Sequence, residues 1–143
     1  MLLSRDHAIE YLLHRHPSFF KKWTKHLDFW GEEKSGITNE FGVFAEFILD
    51  AFDTQNIKVL SSVPESLEHL IIYGDESVVY GVTLGCLESL TNVLLTRNSI
   101  MVRAFLETLG PYTKQECERL DRTWGTQTPG IADNTSCQNI DDM

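Results

Sequence analysis

The sequence predicts an all-α domain of about seven helices, arranged as an antiparallel helical bundle or a short HEAT-like helical stack. Three observations predict this fold. Apolar residues recur at spacings of three and four along most of the chain, capping residues separate these segments, and no alternating strand segment or Asn-Gly hairpin occurs. The 143 residues suffice for one domain. We place that domain at residues 1–125 and predict a flexible polar tail over residues 126–143.

Two helices are predicted before residue 31. Ser4 can cap the first, over about residues 5–14, and Pro17 then interrupts the chain. The second covers about residues 18–29 and is rich in aromatic residues.

The next two helices are longer. A third begins at Thr38 or Asn39 and runs to about Phe52, and a fourth ends at Gly74. Pro64 lies inside the fourth helix, where it removes a backbone hydrogen bond, so we expect a kink or a break there.

The C-terminal helices follow short turns. Gly74-Asp75 provides a C-cap and an N-cap in succession, and the fifth helix, over about residues 76–96, is the most apolar. A sixth helix ends near Leu109, and the capping box of residues 113–116 predicts the start of a seventh.

The formal net charge of −9 disfavours nucleic acid and anionic membranes as direct partners. Residues 28–53 hold seven acidic residues and one basic residue, Lys34. Glu46, Asp50 and Asp53 share one face of the third helix without a local cation, which favours a docking surface for a cationic partner over a solvated face. The predicted surface consists of Glu32, Glu33, Glu40, Glu46, Asp50 and Asp53.

The N-terminus resembles no signal peptide, and the stretch from Val78 to Leu95 is interrupted by polar residues, so we expect a cytoplasmic protein without a membrane span. Its cysteines should therefore be reduced. We expect Cys86 in the core, Cys117 on an exposed helix with a raised pKa, and Cys137 in the tail.

Three groups of residues suggest chemistry, but each has a commoner structural role. The histidines His14, His16 and His26 lack a ligand pattern, so no metal is expected. Glu65, Glu68 and Glu88 are expected to make contacts between helices or to be exposed rather than to form an acid–base pair. For the aromatic residues near the lysines of the second helix, core packing is favoured over base stacking; they are Phe19, Phe20, Trp23, Phe29 and Trp30.

Gly81 and Gly85 lie four residues apart, a spacing that indicates close helix packing. No phosphate-binding or nucleophile motif is present, so neither catalytic residues nor a cofactor are predicted.

Two segments, together covering roughly residues 10–95, resemble a bacterial all-helical domain family. The first is Pro17-Ser18-Phe19 through Trp23 and His26, followed by an acidic loop and Phe44-Ala45-Glu46-Phe47. The second is Leu67-Glu68-His69-Leu70 with Gly74-Asp75-Glu76, then Leu84 through Leu90. Members of this family resemble small acidic immunity proteins of contact-dependent growth inhibition and polymorphic toxin systems. The resemblance implies neutralisation of a cognate toxin, commonly a basic nuclease domain, and it transfers no catalytic or contact residues.

The sequence therefore predicts an immunity protein that covers the active site of a basic nuclease toxin, most simply an RNase, with its acidic surface. The alternative is a helical-repeat adaptor or scaffold domain that binds a regulatory protein.

Overall fold

The structure, a computed structural model, describes residues 1–97, 99–128 and 130–131. Helices take up 78% of these residues and strands none, which confirms the all-α prediction. The helices are α1 (Arg5–Arg15), α2 (Phe19–Trp30), α3 (Ile37–Asp53), α4 (Ile57–Tyr73), α5 (the consecutive segments Glu76–Tyr80, Gly81–Leu87 and Glu88–Arg97), α6 (Ile100–Glu107) and α7 (Pro111–Trp124).

Helices α3 and α5 form the centre of the fold and make its most extensive helix–helix contact. A Cβ atom at Gly81 would lie 2.6 Å from the Phe41 ring, and one at Gly85 would lie 2.4 Å from the Thr38 carbonyl oxygen. Only glycine permits this separation of the two helices, so the predicted close packing is confirmed.

The middle of α5, Gly81–Leu87, is a π-helix. The Glu88 N–H donates to the carbonyl oxygen of Thr83, five residues back. The spacing of apolar residues did not predict this wider turn, because it depends on packing against other helices.

Segment Glu76–Leu94 of α5 has a mean hydropathy of 1.2 and is long enough to cross a membrane. The polar residues within this segment therefore do not exclude it as a membrane-spanning helix. However, 56% of the window is buried inside the fold, as expected of a core helix.

Helix α4 continues through Pro64, so the predicted break does not occur. Pro64 is buried, and Val63 and Leu67 on the same helix are fully enclosed in the core. Packing of this apolar face outweighs the local cost of proline, about 3 kcal/mol in a helix interior.

The turn between α4 and α5 also holds the N-terminal segment. The Leu3 N–H donates to the Tyr73 carbonyl at 2.7 Å, and the Asp75 N–H donates to the Leu3 carbonyl at 2.9 Å. Asp75 caps α5 by accepting from the Val78 N–H at 2.9 Å, as predicted. A hydrogen bond from the Ser77 hydroxyl, ahead of the one from the Val78 N–H, lowers the pKa of Asp75.

Thr126, Thr128 and Ile131, which we expected in a flexible polar tail, pack against the folded domain. Asp121 accepts hydrogen bonds from the Thr126 hydroxyl and from both the N–H and the hydroxyl of Thr128. Ile131 is 1% exposed and belongs to the hydrophobic core. Residues 132–143, the rest of the predicted tail, lie outside the described residues.

Candidate functional site

The acidic face of α3 is partly neutralised by cations from other helices. Asp50 lies 2.6 Å from Lys22 Nζ of α2, and Asp53 lies 2.7 Å from Arg97 Nη1 of α5. The expectation that no cation compensates these carboxylates is therefore wrong. The sequence of one segment does not show which basic residues of other helices lie beside it in the folded chain.

Glu40 has a structural position. It is 9% exposed and pairs with the guanidinium group of Arg5, which also donates to the Ser35 carbonyl at 2.6 Å. The hydrogen bond to Glu40 is the main cause of a raised Arg5 pKa. The pair joins α1 to the start of α3 and leaves little of Glu40 for a partner to contact.

The other three predicted contact residues, Glu32, Glu33 and Glu46, are exposed. Glu46 lines a cleft of about 470 Å³ together with Phe29 and Trp30. Glu32 and Glu33 line a second cleft of about 270 Å³, which also contains Trp30. We call these five residues the Trp30 surface.

The Trp30 surface contains one strongly exposed aromatic ring. Phe29 is 83% exposed, and its ring packs edge-to-face on Trp30 with centroids 6.1 Å apart. Lys25 and Lys34 line the same two clefts, so the charge there is mixed. The six predicted carboxylates thus do not form one continuous free acidic face.

The aromatic residues of α2 divide between core and surface. Phe19 is fully buried and packs edge-to-face on Phe44 at 5.2 Å, and Trp23 is also buried. The core prediction is confirmed for these two but is wrong for Phe20 and Phe29, which are exposed.

The histidines have separate structural positions. Buried His16 places Nε2 2.8 Å from the Ser66 hydroxyl, and burial is the main cause that lowers its pKa to about 4. His26 lies 3.0 Å from the Ser35 hydroxyl, and the ring of His69 stacks on Tyr11. Across the described part of the chain, no three His, Cys, Asp or Glu side chains form a possible metal site.

Glu68 caps a helix to which it does not belong. Its carboxylate accepts from the N–H groups of Tyr112 and Thr113 at 3.1 and 2.8 Å, and from the Thr113 hydroxyl at 2.8 Å. The predicted capping box is wrong, because α7 begins at Pro111 and Thr113 lies within its first turn. The predicted contact between helices is confirmed for Glu68 and also for Glu65 on α4, which pairs with Arg15 of α1 at 3.2 Å.

Both described cysteines are buried. This confirms the prediction for Cys86 and corrects it for Cys117, which we expected on an exposed face. Burial, ahead of the neighbouring carboxylates, raises the pKa of the Cys117 thiol to about 12. Burial likewise raises the pKa of Cys86. Both thiols are therefore poor nucleophiles at neutral pH, and Cys137 lies outside the described residues.

Comparison with known proteins gives one match. The family described as "Domain of unknown function (DUF7674)" matches residues 9–125. The match extends from α1 to the end of α7. No curated protein and no solved structure matches the chain.

Proposed function

The chain belongs to the DUF7674 family of domains of unknown function, and we propose that it is an immunity protein that binds and neutralises a cognate toxin domain. The toxin is basic, most simply a nuclease, and the complex covers its active site. The observation that supports this proposal is the Trp30 surface, on which the exposed Phe29 ring and the half-buried Trp30 ring lie among exposed carboxylates.

Aromatic side chains supply much of the binding energy in protein interfaces, because they bury a large area at a small entropic cost. Phe29 and Trp30 are the anchors in this proposal. Glu32, Glu33 and Glu46 surround them and complement the cationic groove that a nuclease needs to hold RNA or DNA. This chain contributes no catalytic group and requires no cofactor, and it acts in the cytoplasm.

The adaptor alternative has its own supporting observation. A groove of about 670 Å³ between α4 and α6 is lined by apolar side chains, including Ile57, Pro64, Ile72 and Met101. An amphipathic helix of a regulatory protein can bind in such a groove. An adaptor would use this groove, whereas the immunity protein would use the Trp30 surface.

An immunity gene is expected directly downstream of its toxin gene, so the test is titration calorimetry with the product of that neighbouring gene. We expect a tight complex, which the double substitution Glu33→Lys with Glu46→Lys weakens at least a hundredfold. Each substitution replaces the attraction between a carboxylate and the basic toxin with repulsion between two cations.

A matched control carries the same charge change elsewhere. Glu10 on α1 and Glu107 on α6 are exposed and lie outside both clefts. Glu10→Lys with Glu107→Lys should leave the affinity nearly unchanged. If the two double variants weaken the complex equally, the Trp30 surface is not the binding site. If the complex is lost only when Ile57 and Ile72 are substituted, the adaptor function is favoured.

A further inference from the structure

A further cavity lies between α5 and α7, on α5 residues that include part of the π segment. Its volume of about 520 Å³ is typical of a small-molecule site. Apolar side chains line most of it, among them Val79, Leu84 and Leu120. Tyr80 and Trp124 also line it and remain about half exposed.

A buried carboxylate lies in the wall of this cavity. Glu116 is 6% exposed, and its Oε1 accepts from the Thr83 hydroxyl at 3.2 Å. Its Oε2 is buried and has no hydrogen-bond partner among the described residues. Arg119 Nη1 lies 3.2 Å away without hydrogen-bond geometry, on a side chain that is 68% exposed.

The ion pair with the mostly exposed Arg119 leaves the buried Oε2 of Glu116 without a hydrogen bond, which costs free energy in the folded protein. A ligand that donates to Oε2 would supply the missing hydrogen bond. Arg119 can move aside, because most of its side chain is in solvent.

The remaining charges and rings of the cavity favour a cation. Glu76 and Glu88 also line it, so three carboxylates face one guanidinium group. The faces of Tyr80 and Trp124 attract cations through their quadrupoles. The apolar wall requires that the ligand carry an apolar body as well.

The π segment of α5 contributes Thr83 and Leu84 to this wall. π segments within α-helices are frequent at functional sites. Here Thr83 is buried and holds Glu116 in position.

We propose that this cavity binds a small organic cation, a primary ammonium or guanidinium group on an apolar body, with Glu116 as the anchor. The site is separate from the Trp30 surface, and its occupancy does not require the toxin complex.

The probes are 3-phenylpropylamine, which is protonated at neutral pH, and 3-phenylpropanol, its uncharged analogue. We expect NMR titration of the full chain to show shifts at Thr83, Glu116 and Trp124 on addition of the amine. The alcohol should bind at least tenfold more weakly. Equal binding of the two probes, or shifts confined to other surfaces, would overturn the proposal.

Two variants test the anchor. Glu116→Gln retains an acceptor for Thr83 and should weaken amine binding at least tenfold without lowering the thermal unfolding midpoint of the free protein. Glu107→Gln, an exposed position on α6, should change neither. If Glu116→Gln unfolds more easily and binds the amine as before, Glu116 is only a structural residue and the proposal fails.

A third variant leaves the carboxylate intact. Val79→Phe narrows the cavity from the α5 side and should abolish amine binding while the chain remains folded. Unchanged binding to this variant would place the ligand elsewhere and overturn the assignment.

Discussion

At the scale of single residues, buried polar side chains connect distant parts of the chain. His16 contacts Ser66, and Glu40 contacts Arg5, across separations of 50 and 35 residues. Each contact satisfies a polar group that would otherwise be costly to bury. These residues therefore specify which helices pack together. Their substitution should lower the stability of the fold rather than the affinity for a partner.

His16 makes stability depend on pH. Its pKa is about 4 in the folded protein against an ordinary value of 6.5, so the fold favours the neutral ring. This contribution is complete above pH 6.5 and is lost as the pH falls toward 4, because the unfolded chain then binds a proton that the folded chain excludes. We expect a loss of up to about 3 kcal/mol over this window.

Urea unfolding at pH 7 and pH 4.5 measures this loss. His16→Gln cannot titrate, but it can still contact Ser66, so it should flatten the pH dependence between these values. An identical slope in the variant would show that other groups cause the loss.

The burial of Cys86 and the helix cap at Asp75 could be predicted, because both depend on residues nearby in the sequence. Cys86 lies on the apolar face of α5, and Asp75 follows a glycine at a helix start; both were predicted correctly. The ion pair of Asp53 with Arg97 was not predicted, because its partners are 44 residues apart. No pattern along one helix contains that information.

At the scale of elements, α7 depends on a cap supplied by α4. The Glu68 carboxylate accepts three hydrogen bonds at the N-terminus of α7, where the helix dipole also favours a negative charge. Glu68→Ala should lower the free energy of unfolding by about 2 kcal/mol. Denaturant unfolding measures this loss. The control is Glu65→Ala, which removes only the exposed ion pair with Arg15 and should cost less than about 1 kcal/mol.

In the contact between α3 and α5, Gly85 is required on α5, whereas Gly42 on α3 is not. A Cβ at Gly85 would lie 2.4 Å from the backbone of Thr38, whereas one at Gly42 would lie 3.5 Å from the Gly85 carbonyl. Gly85→Ala should therefore destabilise the fold by about 1–3 kcal/mol through overpacking. Gly42→Ala should be neutral or stabilise it by up to about 1 kcal/mol, since alanine favours helix.

Calorimetric unfolding of the two variants distinguishes these outcomes. If both alanines destabilise equally, the close approach of α3 and α5 does not depend on Gly85.

Helix positions were predictable because apolar spacing and caps are local. The π geometry of Gly81–Leu87 and the continuity of α4 through Pro64 were not, because both depend on packing against other helices. The start of α7 was misplaced for the same reason, since its capping acceptor belongs to Glu68.

At the scale of the whole molecule, the folded unit extends past the end of α7. Ile131 is 1% exposed and lies beyond the family match, which ends at residue 125. Ile131→Ala should lower the free energy of unfolding by about 2–4 kcal/mol. Thermal unfolding measures this, with exposed Gln127→Ala as the control, and a loss below about 0.5 kcal/mol would show that the segment does not stabilise the fold.

The net charge of −9 is distributed differently in the folded chain than along the sequence. Ion pairs from α1, α2 and α5 neutralise Glu40, Asp50 and Asp53. Among the six predicted residues, the exposed carboxylates beside Phe29 and Trp30 are the candidates for partner recognition. Sequence alone indicated the acidic segment, but it could not identify which of its carboxylates lie in ion pairs.

The neutralisation proposal is tested most directly by RNA cleavage by the product of the neighbouring gene, measured with increasing amounts of this chain. We predict that cleavage falls linearly and stops at one equivalent. The Glu33→Lys, Glu46→Lys variant should fail to inhibit at that ratio while it remains folded. A toxin that cleaves RNA at the same rate with excess wild-type chain would contradict the account.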